Sequence, residues 1–288
     1  RSRGLGDVYK RQGMAVTDEG SEILRELAEY VRKLQGLSSL EQILLGKLTV
    51  KKVVILPGDS DEEAVVKREI GRAAAHVLVS LLEEGKGRIV AVSGGTTLAA
   101  AASNIRGNFP DVVVVPARGG LGDTLELQAN TIATVMARHL RAAYRQLYVP
   151  DSVSQEILNS ILAEDAGIRA VVDIIKHADI LVHGIGRADV MARHRHLPQT
   201  FIDRLLEQGA VGEAVGQYSD IRGQQIYMTN NAGLMMNDLP RIGTVIGVAG
   251  GKSKAKAIIA VSRATKQDIL ITDEAAANEM VALFEAGN

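Results

Sequence analysis

Short aliphatic runs, each closed by glycine, proline or a small polar residue and followed by a stretch of helical spacing, recur along this chain and restrict its fold more than any other feature. They are Lys52–Pro57, Arg88–Ser93, Val112–Pro116, Arg145–Val149, Asp179–His183, Thr244–Ala249 and Asp268–Thr272. Between them the spacing predicts helices over about 62–82, from Thr96 onward, over about 125–140 and 168–176, after Gly251 to about Val261, and from Asp273 onward. Near-continuous apolar strands belong to a sheet buried on both faces, and strictly alternating strands and helices join as right-handed parallel crossovers. The expected class is therefore α/β, a mostly parallel sheet covered by helices on both faces. With no Trp and only three Phe in 288 residues, Val, Ile, Leu and Ala must pack its core. The polar, glycine-bearing span from Arg187 to Leu239 breaks the rhythm; it reads as a small inserted lobe or loops over the sheet edge, with a hairpin near Gly223.

The break after Val92 is chemically distinctive. Ser93-Gly94-Gly95 leads directly into Thr96-Thr97 and an alanine-rich helix. Paired glycines let a ligand approach the backbone, and free N–H groups at a helix start attract an anion, of which phosphate is the natural case. A tight strand-to-helix turn with an ordinary threonine cap is the other open reading. Two further strand ends bear on the choice. Gly250-Gly251 precedes Lys254, and Pro116-Ala-Arg-Gly-Gly120 places Arg118 at a third carboxyl end. Open α/β sheets bind ligands outside the carboxyl ends of their strands, so these three corners are expected to meet around a phosphorylated ligand.

Composition narrows the partners. A formal net charge of −1 gives no chain-wide attraction to nucleic acid or an anionic membrane. The absence of Cys excludes disulfides, cysteine nucleophiles and Cys-ligated zinc. No apolar run reaches the roughly 18–20 residues of a membrane span, and the chain is expected to be cytoplasmic. Residues 1–12 show no periodicity and read as a tag or sequence scar. From a cap at Thr17, Leu24, Leu27, Val31 and Leu34 follow at helical spacing up to Gly36, a seam that suits either a short coiled coil or an amphipathic helix on its own domain. A second short helix is expected around Ser39 to Leu45.

The pieces Pro57-Gly-Asp-Ser60, Gly94-Gly-Thr-Thr97, Pro116-Ala-Arg-Gly-Gly-Leu-Gly122, Gln128-Ala-Asn-Thr-Ile132, His183-Gly-Ile-Gly186 and Val248-Ala-Gly-Gly251 with Lys254-Ala resemble, in this order, the effector-binding domain of SorC-type bacterial transcription regulators. The resemblance runs from about Gly13 to the C-terminus. It implies a Rossmann-like fold of the ribose-5-phosphate isomerase and glucosamine-6-phosphate deaminase type, used to sense a glycolytic sugar phosphate such as fructose-1,6-bisphosphate or a related monophosphate. Carried over by motif, ligand contacts fall on Gly94, Gly95, Thr96, Thr97, Gly250 and Lys254, with Arg118 and Gln128 toward the other end of the sugar. Glu213 matches a ligand-contacting family residue, and Arg193 and Arg195 lie in a basic segment that aligns loosely. The resemblance also implies a repressor of glycolytic genes that reaches operator DNA through an N-terminal winged-helix domain absent from this chain, and that works as a homodimer or homotetramer. Residues 13–49 then hold the end of that domain and linker helices, and 50–288 the effector-binding domain.

The alternative is a sugar-phosphate isomerase or deaminase of the same fold. Such chemistry needs a general base to move a proton between sugar carbons. No acid lies between His183 and Ala188, and His183 itself reads as a structural hydrogen-bonder or as a substitute base. His194 and His196 could approach a metal, but no third ligand has suitable spacing, and Gly184-Ile-Gly186 is only a fragment of a dinucleotide fingerprint. Lys252, Lys254 and Lys256 do not share one helix face. Binding without turnover, and no cofactor, is the expectation.

Overall fold

The computed structural model describes residues 6–9, 13–17, 20, 36–120, 124–151 and 153–287. The seam at Leu24, Leu27, Val31 and Leu34 lies outside the described residues. Strands β1 (Gly6–Tyr9) and β2 (Gly13–Val16) pair antiparallel, Gly6 opposite Val16, so the patternless N-terminal stretch takes part in a hairpin. The N–H of Gly20 donates to Thr17 Oγ1 at 3.1 Å, the cap expected there. Gly36, at φ +71°, takes the left-handed conformation of a helix-terminating glycine and leads into the helix Leu37–Lys47.

Seven parallel strands form the main sheet: β3 (Lys52–Leu56), β4 (Ile89–Val92), β5 (Val113–Pro116), β6 (Ala143–Tyr144), β7 (Ile180–Gly184) and, after four strands of a separate lobe, β12 (Thr244–Val248) and β13 (Ile269–Asp273). Their spatial order is β3-β13-β12-β7-β4-β5-β6. Strand residues alternate cleanly between two cores. Val90, Val92, Val114, Ile180, Val182, Ile246, Val248 and Ile271 pack with helices Ala64–Glu83, Thr96–Asn104 and Ala129–Leu140. Val53, Ile55, Ala91, Val115, Leu181, Val245 and Leu270 face the other way, toward Leu37–Lys47, Ala166–Lys176, Ala255–Ala264 and Glu274–Glu285. Burial on both faces is why these runs carry no polar alternation.

Two elements depart from the expectation. The last strand of the first half is Ala143–Tyr144 and not Arg145–Val149. Arg145 donates its N–H to Val114, but by Leu147 the backbone has left the sheet and exchanges two 3.0 Å bonds with the Asn130 side-chain amide. Leu147 and Val149 are buried as a strand pattern requires, while a side chain replaces the neighbouring strand. A helix Gln155–Glu164, absent from the sequence reading, precedes Ala166–Lys176; Ser154 caps it by accepting from the Ile157 N–H.

The irregular span is an inserted lobe. β8 (Gly186–Arg187), β9 (Ala210–Ala214), β10 (Gln217–Asp220) and β11 (Gln225–Met228) form an antiparallel sheet, with helices Ala188–His194 and Gln199–Glu207 between β8 and β9. The hairpin β10–β11 turns through Gly223, as expected. Ala188, Ala192, Ile202, Leu205, Ala210 and Tyr218 give the lobe its own small core. It leaves the main sheet at the carboxyl end of β7 and returns at β12, so its residues stand beside the edge where the glycine breaks lie. Contact there is close: a Cβ on Gly212 would come within 2.8 Å of the Ala257 carbonyl.

Candidate functional site

After β4 the chain runs to β5 and β6 on one side, and β7, β12 and β13 build the other. The β4/β7 boundary is therefore a topological switch point, where open α/β sheets leave a crevice above their carboxyl ends. Gly94 to Thr97 stand at it. The two strand ends are tied: the Ser93 N–H donates to the Val182 carbonyl at 3.0 Å, and the Gly184 N–H to Ser93 Oγ at 3.0 Å.

The paired glycines serve different ends. A Cβ on Gly94 would sit 2.6 Å from the Leu127 carbonyl oxygen, so this position needs space. Gly95, at φ +117° and ψ 162°, needs a conformation that other residues rarely adopt, while a Cβ there would meet nothing within 4 Å. Gly95 is the N-cap of Thr96–Asn104 and no side chain caps that helix. Thr96 and Thr97 are its first two residues, Thr96 exposed and Thr97 buried. The threonine-capped turn is thus not what this sequence forms; its uncapped amides lie at the crevice.

The second glycine pair departs from the first. Asp273, fully buried, accepts from the Gly251 N–H at 2.7 Å and the Ser60 N–H at 2.9 Å, and Asp61 accepts from the Ser253 N–H at 2.8 Å. Gly250 is hemmed in by Ile70, Asp273 and Ser60. The Gly251, Ser60 and Ser253 amides are thus already bound by carboxylates, and the Lys254 side chain is the cation this corner offers a ligand. Burial lowers the Lys254 pKa, and nearby Lys67 lowers it further against Asp61 and Asp273, which raise it. Asp61 is used across the fold, and the helix expected from about 62 begins at Ala64 after Glu63, with no side-chain cap.

At the end of β5 the structure assembles a buried charge cluster. Arg118 Nη2 donates to both oxygens of Asp151, at 2.7 and 2.9 Å, and to Thr229 Oγ1 at 2.7 Å. Arg195 reaches in from the lobe, pairing with Asp151 through Nη1 and with Glu213 Oε1 through Nη2, at 2.9 Å. Glu213 Oε1 also accepts from the Gly216 N–H at 2.6 Å. All four charged side chains are at most 6% exposed. Arg118 Nη1 lies against Gly216, where a Cβ would overlap it at 1.6 Å. Burial lowers the Arg118 pKa despite Asp151. Burial also acts against charge on Arg195, but Glu213 and then Asp151 outweigh it and hold the pKa above its ordinary value. The two differ because Arg195 touches both carboxylates and Arg118 only one. Charges balance, two against two, yet donors are left over: Arg118 Nε and Nη1, Arg195 Nε and Tyr218 OH are buried without a hydrogen-bond partner among the described residues. Burial, with Glu213 next, pushes the Tyr218 pKa up, so its hydroxyl keeps its proton. A cluster short of acceptors suits a guest that brings oxygens.

The other candidates separate. Gln128 precedes the helix Ala129–Leu140, its Oε1 3.6 Å from where a Cβ on Gly120 would stand, facing the Arg118 loop. Arg193 is exposed and paired with Asp189 at 3.0 Å, apart from the Arg195 cluster. His183 is fully buried, with Nδ1 3.0 Å from the Gly184 carbonyl and Nε2 2.9 Å from the Gln267 amide. Burial lowers its pKa, so the ring is neutral and has one N–H, which goes to Gly184. Turning the Gln267 amide so that its NH2 donates to Nε2 completes the pairing and satisfies an otherwise unpartnered nitrogen. Both ring nitrogens are then occupied, and His183 keeps no free nitrogen for proton transfer. Asp151, Thr229, Asp61 and Asp273 reach Arg118, Ser253 and Gly251 across at least 22 residues of sequence, so only the fold reveals these contacts.

Comparison with known proteins agrees with this architecture. The family described as "Putative sugar-binding domain" matches residues 32–282. The central glycolytic genes regulator of Priestia megaterium is 43% identical over 99% of this chain and 83% of its own length; that of Bacillus subtilis is 38% identical over 98% and 82%. A crystal structure of a "putative SorC family transcriptional regulator" from Enterococcus faecalis superposes with a TM-score of 0.76 at 38% identity, covering 84% of this chain and 99% of that one. These relatives are transcriptional regulators and not enzymes. With a parallel sheet open at its switch point and this likeness along nearly the whole sequence, the chain belongs to the SorC-type transcriptional regulators and carries their sugar-binding domain.

Proposed function

We propose that the domain senses a glycolytic sugar phosphate, fructose-1,6-bisphosphate or a related monophosphate, through Gly94, Gly95, Thr96, Thr97, Gly250 and Lys254 at one phosphate and Arg118, Gln128, Glu213 and Arg195 toward the other end of the sugar. The observation that carries this is the pair of buried guanidiniums with unused N–H donors, one strand away from the uncapped start of Thr96–Asn104. The names of the relatives, central glycolytic genes regulators, support a glycolytic effector. The sensor reading extends to a cytoplasmic repressor that meets its operator through an N-terminal winged-helix domain and acts as a homodimer or homotetramer. Residues 13–49 join the two parts and 50–288 hold the effector. Among the described residues no helix is long and apolar enough to cross a membrane. Because only a ligand that distinguishes two arrangements can shift an equilibrium between them, the effector acts by preferring one inter-subunit arrangement.

A thermal-shift series over glycolytic sugar phosphates, followed by calorimetry, tests the reading, since a ligand that binds only the native state raises the melting temperature. Fructose-1,6-bisphosphate is expected to raise it. Thr97→Ala and Lys254→Ala are expected to weaken binding about tenfold or more with the fold retained, as charge-assisted bonds to phosphate are lost. Unchanged affinity in both variants would overturn the site.

A further inference from the structure

We propose that Asp151 is a built-in competitor for the anionic end of the ligand, a residue that sets effector affinity by occupying the guanidiniums the effector needs. This rests on the reading of the Arg118–Arg195 cluster as part of the effector site. Among the described residues Asp151 is the one carboxylate bound to both arginines, through Arg118 Nη2 and Arg195 Nη1, and its side chain is 2% exposed. Glu213 touches only Arg195 and is further committed to the Gly216 N–H. Asp151 is held by its backbone, whose N–H donates to the Gly120 carbonyl at 2.9 Å on the Arg118 loop itself. The carboxylate can therefore turn away while the chain stays in place.

Charge arithmetic turns this geometry into a prediction. Arg118 and Arg195 carry two positive charges, and Asp151 and Glu213 cancel them. A phosphate entering this neutral cluster finds three spare guanidinium N–H positions, Arg118 Nε and Nη1 and Arg195 Nε, but meets the Asp151 charge a few ångströms away. Like charges at such separation inside a protein oppose each other strongly. Without the Asp151 carboxylate Arg118 would lose its counter-ion and Glu213 alone would stand against two guanidiniums, a cost that a bound phosphate then relieves. Asp151 thus trades affinity for a stable, pre-oriented pair of guanidiniums, and a neutral residue of the same shape reverses the trade.

The test is calorimetry of fructose-1,6-bisphosphate against the full chain and its variants. Asp151→Asn is expected to melt at a lower temperature yet bind about tenfold more tightly or better. Asp151→Ser, smaller and also neutral, is expected to tighten binding too. Asp151→Glu, which keeps the charge, and Thr229→Val, which removes a neutral partner of the same Arg118 Nη2, are expected not to tighten it. If both neutral variants bind no more tightly than the parent while Thr97→Ala and Lys254→Ala weaken binding, the competitor role fails and the site stands. If Thr97→Ala and Lys254→Ala also leave affinity unchanged, both fall. Should neither neutral variant fold even with ligand present, Asp151 is purely structural and the proposal is overturned.

Discussion

Gly95→Ala isolates the backbone's part in the site, because the residue's geometry and its surroundings point to a single cause. Gly95 sits at φ +117° and ψ 162°, and a Cβ built there meets no atom within 4 Å. The substitution therefore creates no overlap, and its whole cost is conformational. Holding a non-glycine residue in this region costs about 1–3 kcal/mol. In a domain of this size each kcal/mol lowers the melting temperature by about 2–4 °C, so a fall of about 2–12 °C is expected by differential scanning fluorimetry. The strain can also be relieved by rotating the turn, which swings the amides of Thr96 and Thr97 off the crevice. Rotation shrinks the rise produced by fructose-1,6-bisphosphate, whereas strain held in the native geometry lowers only the starting melting temperature. Gly85→Ala is the control: Gly85 is also left-handed, at φ +67°, with nothing within 4 Å, and follows the helix Ala64–Glu83. It is expected to lose about 1 kcal/mol of stability with unchanged affinity. If Gly95→Ala melts with the parent, its strain released by rotation, and still binds as tightly, the anion-binding account of this turn is refuted.

Two further substitutions probe the frame around the site. His183 has its pKa lowered from the ordinary 6.5 by burial. A histidine that resists protonation in the fold but accepts it when unfolded leaves stability intact above pH 6.5 and removes it as pH falls from there toward the folded pKa. Urea midpoints between pH 7.5 and 5.5 should fall more steeply for the parent than for His183→Gln; equal slopes would contradict a neutral buried ring. Asp273→Ala strips the acceptor from the N–H groups of Ser60, Gly251 and Ala276 at once. At about 1 kcal/mol or more per orphaned buried donor, a loss of about 3 kcal/mol is expected in equilibrium denaturation, and a loss below about 1 kcal/mol would contradict its role as a junction.

How much of the site could be read in advance depended on where each residue keeps its partners. Gly94-Gly95-Thr96-Thr97 was legible as a candidate anion site because strand end, turn and helix start are contiguous, and local geometry alone places their amides together. Gly250-Gly251 looked equivalent, yet Asp61 and Asp273 reach its amides from other segments, and local sequence cannot show such occupation. Arg118 was visible as a cation at a strand end, but not as half of a buried pair with Arg195, 77 positions further on. Arg193 and Arg195 were indistinguishable in sequence. The helix Ala188–His194 ends just before Arg195, so Arg193 meets Asp189 at the surface while Arg195 turns inward to Asp151 and Glu213.

The chain's own order of residues determined the parallel sheet, its two buried faces and the edge on which glycines break the strands, since hydrophobic period and turn chemistry act over a few neighbouring residues. Tertiary structure alone decided which strands flank the switch point and which carboxylates occupy the amides beside it. It also decided that the lobe between β7 and β12 brings Arg195 and Glu213 to the end of β5. Those outcomes depend on burial of charge between distant segments, an energy that exists only once the segments have met.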